Sequence, residues 1–180
     1  VKENVAKVTW AGGSAGGVDQ ITAALFAGAI GADASKVNYI PFSGGGESLA
    51  AILGSKVTAG ISGWGEYEGQ IKAGKLKAIG VTSANRLPGV DVPTFKELGY
   101  PDFDAQTFTG LFAPARTAAP IVAKLQETMT AILKDPSVVE KFNKIGAEAV
   151  AMTPADFTAY LSREDAKWIP VVRKANIKAD

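Results

Sequence analysis

The sequence contains no cysteine and no histidine, and these two absences remove several kinds of chemistry. Without cysteine there is no disulfide, no thiolate nucleophile and no cysteine-ligated metal. Without histidine the chain lacks the commonest general base and the commonest ligand for transition metals. Lys and Arg number 19 against 18 Asp and Glu, and neither sign forms a long run. The basic stripe of nucleic-acid-binding proteins is therefore missing, and we expect no nucleic acid partner.

Long hydrophobic runs are absent as well. Glycine, serine or a charged residue interrupts every apolar stretch before the ~18–20 residues that a membrane-spanning helix needs. The first residues, Val1-Lys2-Glu3-Asn4, also lack the basic region and apolar region of a signal peptide. If the protein is exported, we expect its signal peptide to lie outside this sequence.

Apolar runs alternate with stretches of helical periodicity through the first hundred residues, and glycines stand between them. The predicted strands are Val5–Trp10, Val37–Ile40, Val57–Ser62 and Leu76–Thr82, and the predicted helices are Val18–Ile30, Glu47–Leu53, Glu66–Ala73 and Thr94–Leu98. This alternation predicts an α/β fold with a parallel sheet.

The pattern changes after Phe103 and becomes mostly helical. Amphipathic spacing predicts a helix over Ala119–Leu133 and another that has Pro136 in its first turn. Thr153 is a suitable N-cap for a last helix, which Pro170 should kink or divide. Short strands are expected over Thr107–Ala113 and Ala147–Ala151, with the side chains of Phe108, Leu111, Phe112 and Trp168 in the core.

Two glycine-rich turns, Gly12–Gly17 and Gly44–Gly46, each connect a predicted strand to a predicted helix. Amide groups at a helix N-terminus are unpaired and attract anions, and glycine lets a ligand approach them closely. Neither turn matches a nucleotide motif, because Ser14 replaces the second glycine of a dinucleotide fingerprint and Val18 replaces the P-loop lysine. The alternative for each turn is a tight connection that needs glycine for its geometry alone.

Other candidate residues have two interpretations each. Trp64, between Gly63 and Gly65, is either a wall for a ligand or a half-buried core aromatic. Asp19 either orients a ligand or complements the dipole of its helix. None of the four arginines lies in a glycine turn, so a bound carboxylate would be held mainly by amides, hydroxyls and water.

Longer phrases of the sequence resemble one protein family. They are Gly12-Gly13-Ser14-Ala15-Gly16-Gly17-Val18-Asp19, Val37 through Glu47, Ile71-Lys72-Ala73-Gly74-Lys75-Leu76-Lys77-Ala78, Arg86 through Thr94, and Gly110-Leu111-Phe112-Ala113-Pro114. Together they resemble the receptors of tripartite tricarboxylate transporters, which are related to the Bordetella uptake proteins. The first phrase is similar to the citrate-type subtype, although that subtype usually has Thr-Asp-His where this chain has Val18-Asp19-Gln20.

The resemblance implies a periplasmic-binding-protein fold with two α/β lobes that close on a small carboxylate and pass it to a membrane permease. It implies a periplasmic protein without catalysis and without a metal or other cofactor. The ligand-facing residues that it implies are Ser14, Ala15, Gly16, Gly17, Asp19, Ser43, Gly44, Gly45, Ser62, Gly63 and Trp64.

Members of this family are longer at the N-terminus, so we expect a truncated chain. Residues 1–104 would be the complete second lobe and residues 105–180 the C-terminal part of the first lobe, without its N-terminal strands. Such a chain would bind ligand weakly or not at all. As an alternative to truncation, another chain would supply the missing strands, or a dimer partner would cover the incomplete edge of the sheet. Two alternatives remain: an enzyme acting on a small anion, and a ligand-sensing regulatory module.

Overall fold

A computed structural model describes residues 4–101 and 103–178 of the chain. The chain divides into two compact units. The first runs through Gln106 and also includes the chain from Lys167 onward, and the second is Thr107–Ala166.

Three parallel strands form the sheet of the first unit: β1 (Thr9–Gly12), β2 (Asn38–Pro41) and β3 (Ala59–Gly60). Their order is β2-β1-β3, with Trp10 opposite both Tyr39 and Ala59. Parallel neighbours require crossover connections, and helices α1 (Val18–Ala29) and α2 (Gly45–Leu53) supply them. Helix α3 (Trp64–Lys72) follows β3. The parallel α/β prediction is confirmed, and all three helices begin at the edge of the sheet where the strands end.

Small side chains let these helices pack closely on the sheet. Ala11 at the centre of β1 is fully buried, together with Ala51 of α2 and Val57. On α1, Ala24 and Ala27 pack with Val5 and Ala34. Edge-to-face contacts at 4.5–6.0 Å between ring centroids join Trp10, Phe26, Phe95 and Phe103. This core gives the sheet edge a fixed support.

Several strand predictions for the first unit are wrong or too long. The predicted strand Val5–Trp10 begins with a 3-10 turn at Val5–Lys7, and β1 starts at Thr9. Of Val57–Ser62, only Ala59–Gly60 pairs with β1. Leu76–Thr82 is not a strand, because only Val81 finds a partner, in an isolated bridge with Thr94. An apolar run becomes a strand only where a neighbouring backbone pairs with it.

The predicted helix Thr94–Leu98 is a single capped turn. The Thr94 amide donates to Oε2 of Glu97 at 2.7 Å, and the Glu97 amide donates to the Thr94 hydroxyl at 3.2 Å. This is the reciprocal pattern of a capping box. Gly99, at a φ of 93°, follows directly and ends the turn before a helix develops.

The second unit contains helices α4 (Ala119–Lys134) and α5 (Pro136–Lys144) and the start of α6 (Pro154–Lys174), which ends in the first unit. These helices confirm the predicted ones to within a residue or two. Thr153 caps α6, because its hydroxyl accepts the Asp156 amide at 3.1 Å. Pro170 does not divide the helix, which runs unbroken to Lys174. Pro170 has no amide to donate to the carbonyl of residue 166, which is an exposed position of the helix.

The two strands predicted for the second unit are absent from the described residues. Phe108, Leu111 and Phe112 are 44%, 59% and 66% exposed, so their assignment to the core is wrong for this chain. Phe108 and Phe112 contact the ring of Phe157 instead, and no strand of the described residues covers them. Trp168 is partly buried. None of the helices in the described ranges is long and apolar enough to cross a membrane.

Candidate ligand-binding site

Three turns lie side by side where the parallel strands end: 13–17 after β1, 42–44 after β2 and 61–63 after β3. The N-caps of the helices that follow are Gly17, Gly44 and Gly63, and none of them receives a side-chain cap. The first amides of each helix have no partner within the helix and carry the positive end of its dipole. Three uncapped helix N-termini at one edge of a sheet form a surface suited to an anion.

The first turn needs two of its glycines for geometry. Gly16 has a φ of 73°, which favours glycine, and a Cβ at Gly17 would lie 2.8 Å from the Ser14 carbonyl oxygen. The Gly17 amide donates to that same oxygen at 3.0 Å. Oε1 of Gln20 accepts the Gly16 amide at 2.8 Å, so this amide is already paired. Gly16 and Gly17 are therefore glycines because the turn requires them, which is the alternative stated in the sequence analysis.

Side chains hold both backbone polar groups of Gly13. Its amide donates to Oδ2 of Asp19 at 2.8 Å, and its carbonyl accepts the Tyr39 hydroxyl at 2.8 Å. Gly12 has no room for a side chain, because a Cβ there would lie 2.5 Å from the Tyr39 hydroxyl and 2.6 Å from Cβ of Asp19. Residues from α1 and β2 thus fix the start of the first turn.

Asp19 is a partly buried carboxylate among other ionisable groups. Burial raises its pKa, the hydrogen bond from the Gly13 amide opposes that rise, and the nearby Glu66 adds to it. Burial also raises the pKa of Tyr39, with a further contribution from the charge of Asp19. The Tyr39 hydroxyl therefore stays protonated and keeps donating to Gly13.

The second turn leaves open space beside its glycines. No atom lies within 4 Å of the position of a Cβ at Gly44 or at Gly46, whereas a Cβ at Gly45 would collide with the side chain of Glu66. The Ser43 hydroxyl donates to Oε2 of Glu47 at 2.7 Å, which lowers the pKa of Glu47. Ser43 is thus committed to its own helix, while the backbone at Gly44 can be approached.

The third turn is also open at its glycine, since nothing lies within 4 Å of a Cβ at Gly63. Trp64 is the first residue of α3 and is partly buried. Lys72 pairs with Glu68 at 2.6 Å and lowers the pKa of that carboxyl.

Every residue proposed from the sequence lies in one of the three turns or in the first turn of a following helix: Ser14, Ala15, Gly16, Gly17, Asp19, Ser43, Gly44, Gly45, Ser62, Gly63 and Trp64. Sequence reasoning missed Tyr39, Ser48 and Tyr67, whose hydroxyls act behind the turns. For Tyr39 and Ser48 the only signal was a polar group inside an otherwise apolar strand or helix, and Tyr67 gave none because α3 is mostly polar. The described residues contain no cluster of acidic side chains placed to hold a metal ion.

Comparison with known proteins bears on this site. The family model described as "Tripartite tricarboxylate transporter family receptor" matches residues 1–177. The chain belongs to this receptor family. A curated member of UPF0065 from Agrobacterium vitis, encoded in the TAR-I ttuE-ttuC' intergenic region, is 32% identical to the receptor chain over 179 residues. That alignment covers 97% of this chain and 51% of the relative.

Two solved structures are similar to the receptor chain throughout. The R. palustris protein Rpa4515, solved with adipate, has a TM-score of 0.83 at 26% identity, covering 95% of this chain and 56% of that one. The periplasmic binding protein BugD has a TM-score of 0.78 at 28% identity, covering 100% and 60%. These neighbours give the fold as that of a periplasmic binding protein. The receptor chain spans about half the length of the curated relatives it matches.

Proposed function

We propose that this chain is part of an extracytoplasmic receptor that captures a small di- or tricarboxylate and delivers it to the membrane permease of a tripartite transporter. The observation that carries the proposal is the edge of the sheet, where three uncapped helix N-termini meet. Amides at such positions bind carboxylate oxygens without an arginine. Adipate, bound by the similar R. palustris protein, belongs to this ligand class.

The open glycines support a ligand at this edge. Gly44 and Gly63 adopt backbone angles that any residue accepts, and neither has a neighbour that would exclude a side chain. Folding therefore does not require glycine at either position, whereas close approach of a ligand to the amides does. The site binds and releases its ligand without turnover, as the family description of a receptor suggests.

The same proposal assigns the two parts of the chain to lobes of the receptor. Residues 1–104 form the second lobe and provide one wall of the binding cleft, and residues 105–180 are the C-terminal portion of the first lobe. Ligand binding then shifts the receptor toward a closed state. The receptor works in the periplasm. In the isolated chain, a second copy covers the apolar side chains that the second unit exposes.

Nuclear magnetic resonance can locate weak binding on the isolated chain. We expect adipate at millimolar concentration to shift the amide signals of residues 14–20, 44–48 and 63–66. Gly44→Ala and Gly63→Ala should each reduce affinity about tenfold while the chain stays folded, because a methyl group would stand over the amides. Gly28→Ala and Gly69→Ala are matched controls, since these glycines also have open surroundings but lie inside helices. Shifts confined to other regions, or equal losses for all four variants, would contradict the proposal.

A version of the chain extended at its N-terminus to the length of its relatives provides the second arm. Calorimetric titration with adipate, succinate and citrate should show markedly tighter binding to the extended protein than to the 180-residue chain. Equally tight binding to both would show that one lobe suffices and would overturn the two-walled cleft.

A further inference from the structure

Two hydroxyl groups behind the turns form a chain of hydrogen bonds that crosses from α3 to α2. Oγ of Ser48 lies 3.0 Å from the Gly45 carbonyl oxygen and 2.9 Å from the Tyr67 hydroxyl. Ser48 is fully buried, so its partners must come from the protein.

Counting hydrogens determines the direction of this chain. The Gly45 carbonyl can only accept, so the single hydroxyl hydrogen of Ser48 goes to it. Ser48 must then accept the hydrogen of Tyr67. The order is Tyr67 to Ser48 to Gly45, and the Ser48 hydroxyl both donates and accepts.

The two ends of this chain lie near the starts of two different helices. Gly45 is the first residue of α2, after its N-cap Gly44, and Tyr67 is the fourth residue of α3, whose N-cap is Gly63. Tyr67 also packs close to β3, where a Cβ at Gly60 would lie 2.8 Å from its hydroxyl. Its hydroxyl therefore ties the start of α3 to the start of α2.

We propose that Tyr67 is a positioning residue that holds the second and third turns in the register needed to share one ligand. This inference rests on the proposed function, but it makes a claim about the unliganded chain that can be tested separately. Preorganised amides bind more tightly because the cost of ordering them is met during folding.

Amide hydrogen exchange in the free chain tests the positioning role. The first hydrogen-bonded amides behind these turns are those of Ser48, which donates to the Gly44 carbonyl, and Glu66, which donates to the Gly63 carbonyl. Tyr67→Phe should speed exchange at both by about five- to tenfold, the effect of losing one hydrogen bond locally. The amide of Ile61, which donates to the Ala11 carbonyl in the sheet, should keep its rate. Tyr100→Phe is the matched control and should change none of the three.

A double variant separates positioning from ordinary stability. If Ser48→Ala is combined with Tyr67→Phe, exchange should rise little beyond the single variants, because both break the same chain. Equal acceleration at Ser48, Glu66 and Ile61, or full additivity in the double variant, would overturn the proposal.

Adipate affinity provides the functional arm, measured on the N-terminally extended protein. Tyr67→Phe should weaken adipate binding about tenfold, while Tyr100→Phe should leave it unchanged. If wild-type protein binds no carboxylate, the proposed function fails, and the exchange data still decide the positioning role. If adipate binds equally well to wild type and to Tyr67→Phe, the positioning role fails and the proposed function stands.

Discussion

At the scale of single residues, Asp19 presents a conflict that its contacts resolve. An ionised carboxylate beside uncapped helix N-termini should repel an anionic ligand, and Glu66 adds a second negative charge nearby. Asp19 is nevertheless bound to the Gly13 amide, and Tyr39 donates to the Gly13 carbonyl. Its main role is thus to shape the first turn, and its raised pKa reflects the burial that this role requires.

The pH dependence of stability should reveal Asp19. Because burial raises its pKa, the folded chain keeps a proton that the unfolded chain loses as pH rises above the ordinary value of 3.8. Stability is therefore lost as pH rises from there through the folded pKa, and the loss is complete above it. Asp19→Asn removes this dependence and keeps an oxygen for the Gly13 amide. The unfolding free energy of wild type minus that of the variant should fall through this window and stay level at higher pH.

Glu47 provides a control whose pKa shift has the opposite sign, because the Ser43 hydroxyl lowers its pKa. The unfolding free energy of wild type minus that of Glu47→Gln should fall as pH decreases through the folded pKa of Glu47. Protonation of Glu47 breaks its hydrogen bond with Ser43. Urea denaturation between pH 3 and 8 measures both curves. An Asp19 difference curve that is flat, or that runs parallel to the Glu47 curve, would contradict the assignment.

At the scale of elements, the helices begin in two different ways. Those at the candidate site start at Gly17, Gly44 and Gly63 without a side-chain cap. By contrast, α5 is capped by Asp135, and α6 by Thr153. Glycine at an N-cap costs only a few tenths of a kcal/mol relative to a good cap. The site can therefore leave its helix amides unpaired at a small cost in stability.

Removing a side-chain cap should have a measurable effect. We expect Thr153→Ala to lower the free energy of unfolding by about 1 kcal/mol, because the Asp156 amide loses its acceptor. Thr128→Ala, inside α4, is the matched control and should stay within about 0.5 kcal/mol of wild type, since its hydroxyl bonds a carbonyl of the preceding turn. If the two variants are equally stable in urea, the cap contributes nothing.

At the scale of the molecule, the two units bury their apolar residues to different extents. The first has a buried sheet and an aromatic group, whereas the second exposes large apolar side chains, among them Leu111, Phe112, Ile121 and Ile145. We expect these side chains to form one patch, which would mark an interaction site or a tendency to associate. We propose that a second copy covers these side chains in the isolated chain. In the intact receptor, the N-terminal part of the first lobe would cover them.

Association should depend on these side chains. Light scattering after size exclusion should show the 180-residue chain moving toward a dimer as its concentration rises, and the N-terminally extended protein staying monomeric. Leu111→Glu should shift the isolated chain toward monomer, whereas Ile79→Glu, an equally exposed position of the first unit, should not. A monomer at every concentration, or equal effects of both substitutions, would rule out this surface as the cover.

Much of this fold could be predicted from the sequence, and the errors in the strands share one cause. The bounds of α1, α4 and α5 follow from local patterns, namely apolar spacing, Pro136 in a first turn and glycine at an end. Leu76–Thr82 and Thr107–Ala113 have strand-like composition, but the described residues offer no backbone to pair with them beyond Val81. Composition indicates which residues can be buried, whereas the pairing of strands depends on segments that are distant in the sequence.

The two glycine turns were visible in the sequence because glycine, strand ends and helix starts are local signals. What they do together was decided by the tertiary structure. The sheet order β2-β1-β3 brings a third turn beside them, Tyr39 reaches Gly13 across 26 residues, and Tyr67 reaches Ser48 across 19. The sequence by itself determined where helix amides would be left unpaired, because that depends on neighbouring residues in the chain. Only the folded sheet decided that three such ends meet at one edge, because parallel pairing aligns strand ends that lie far apart in sequence.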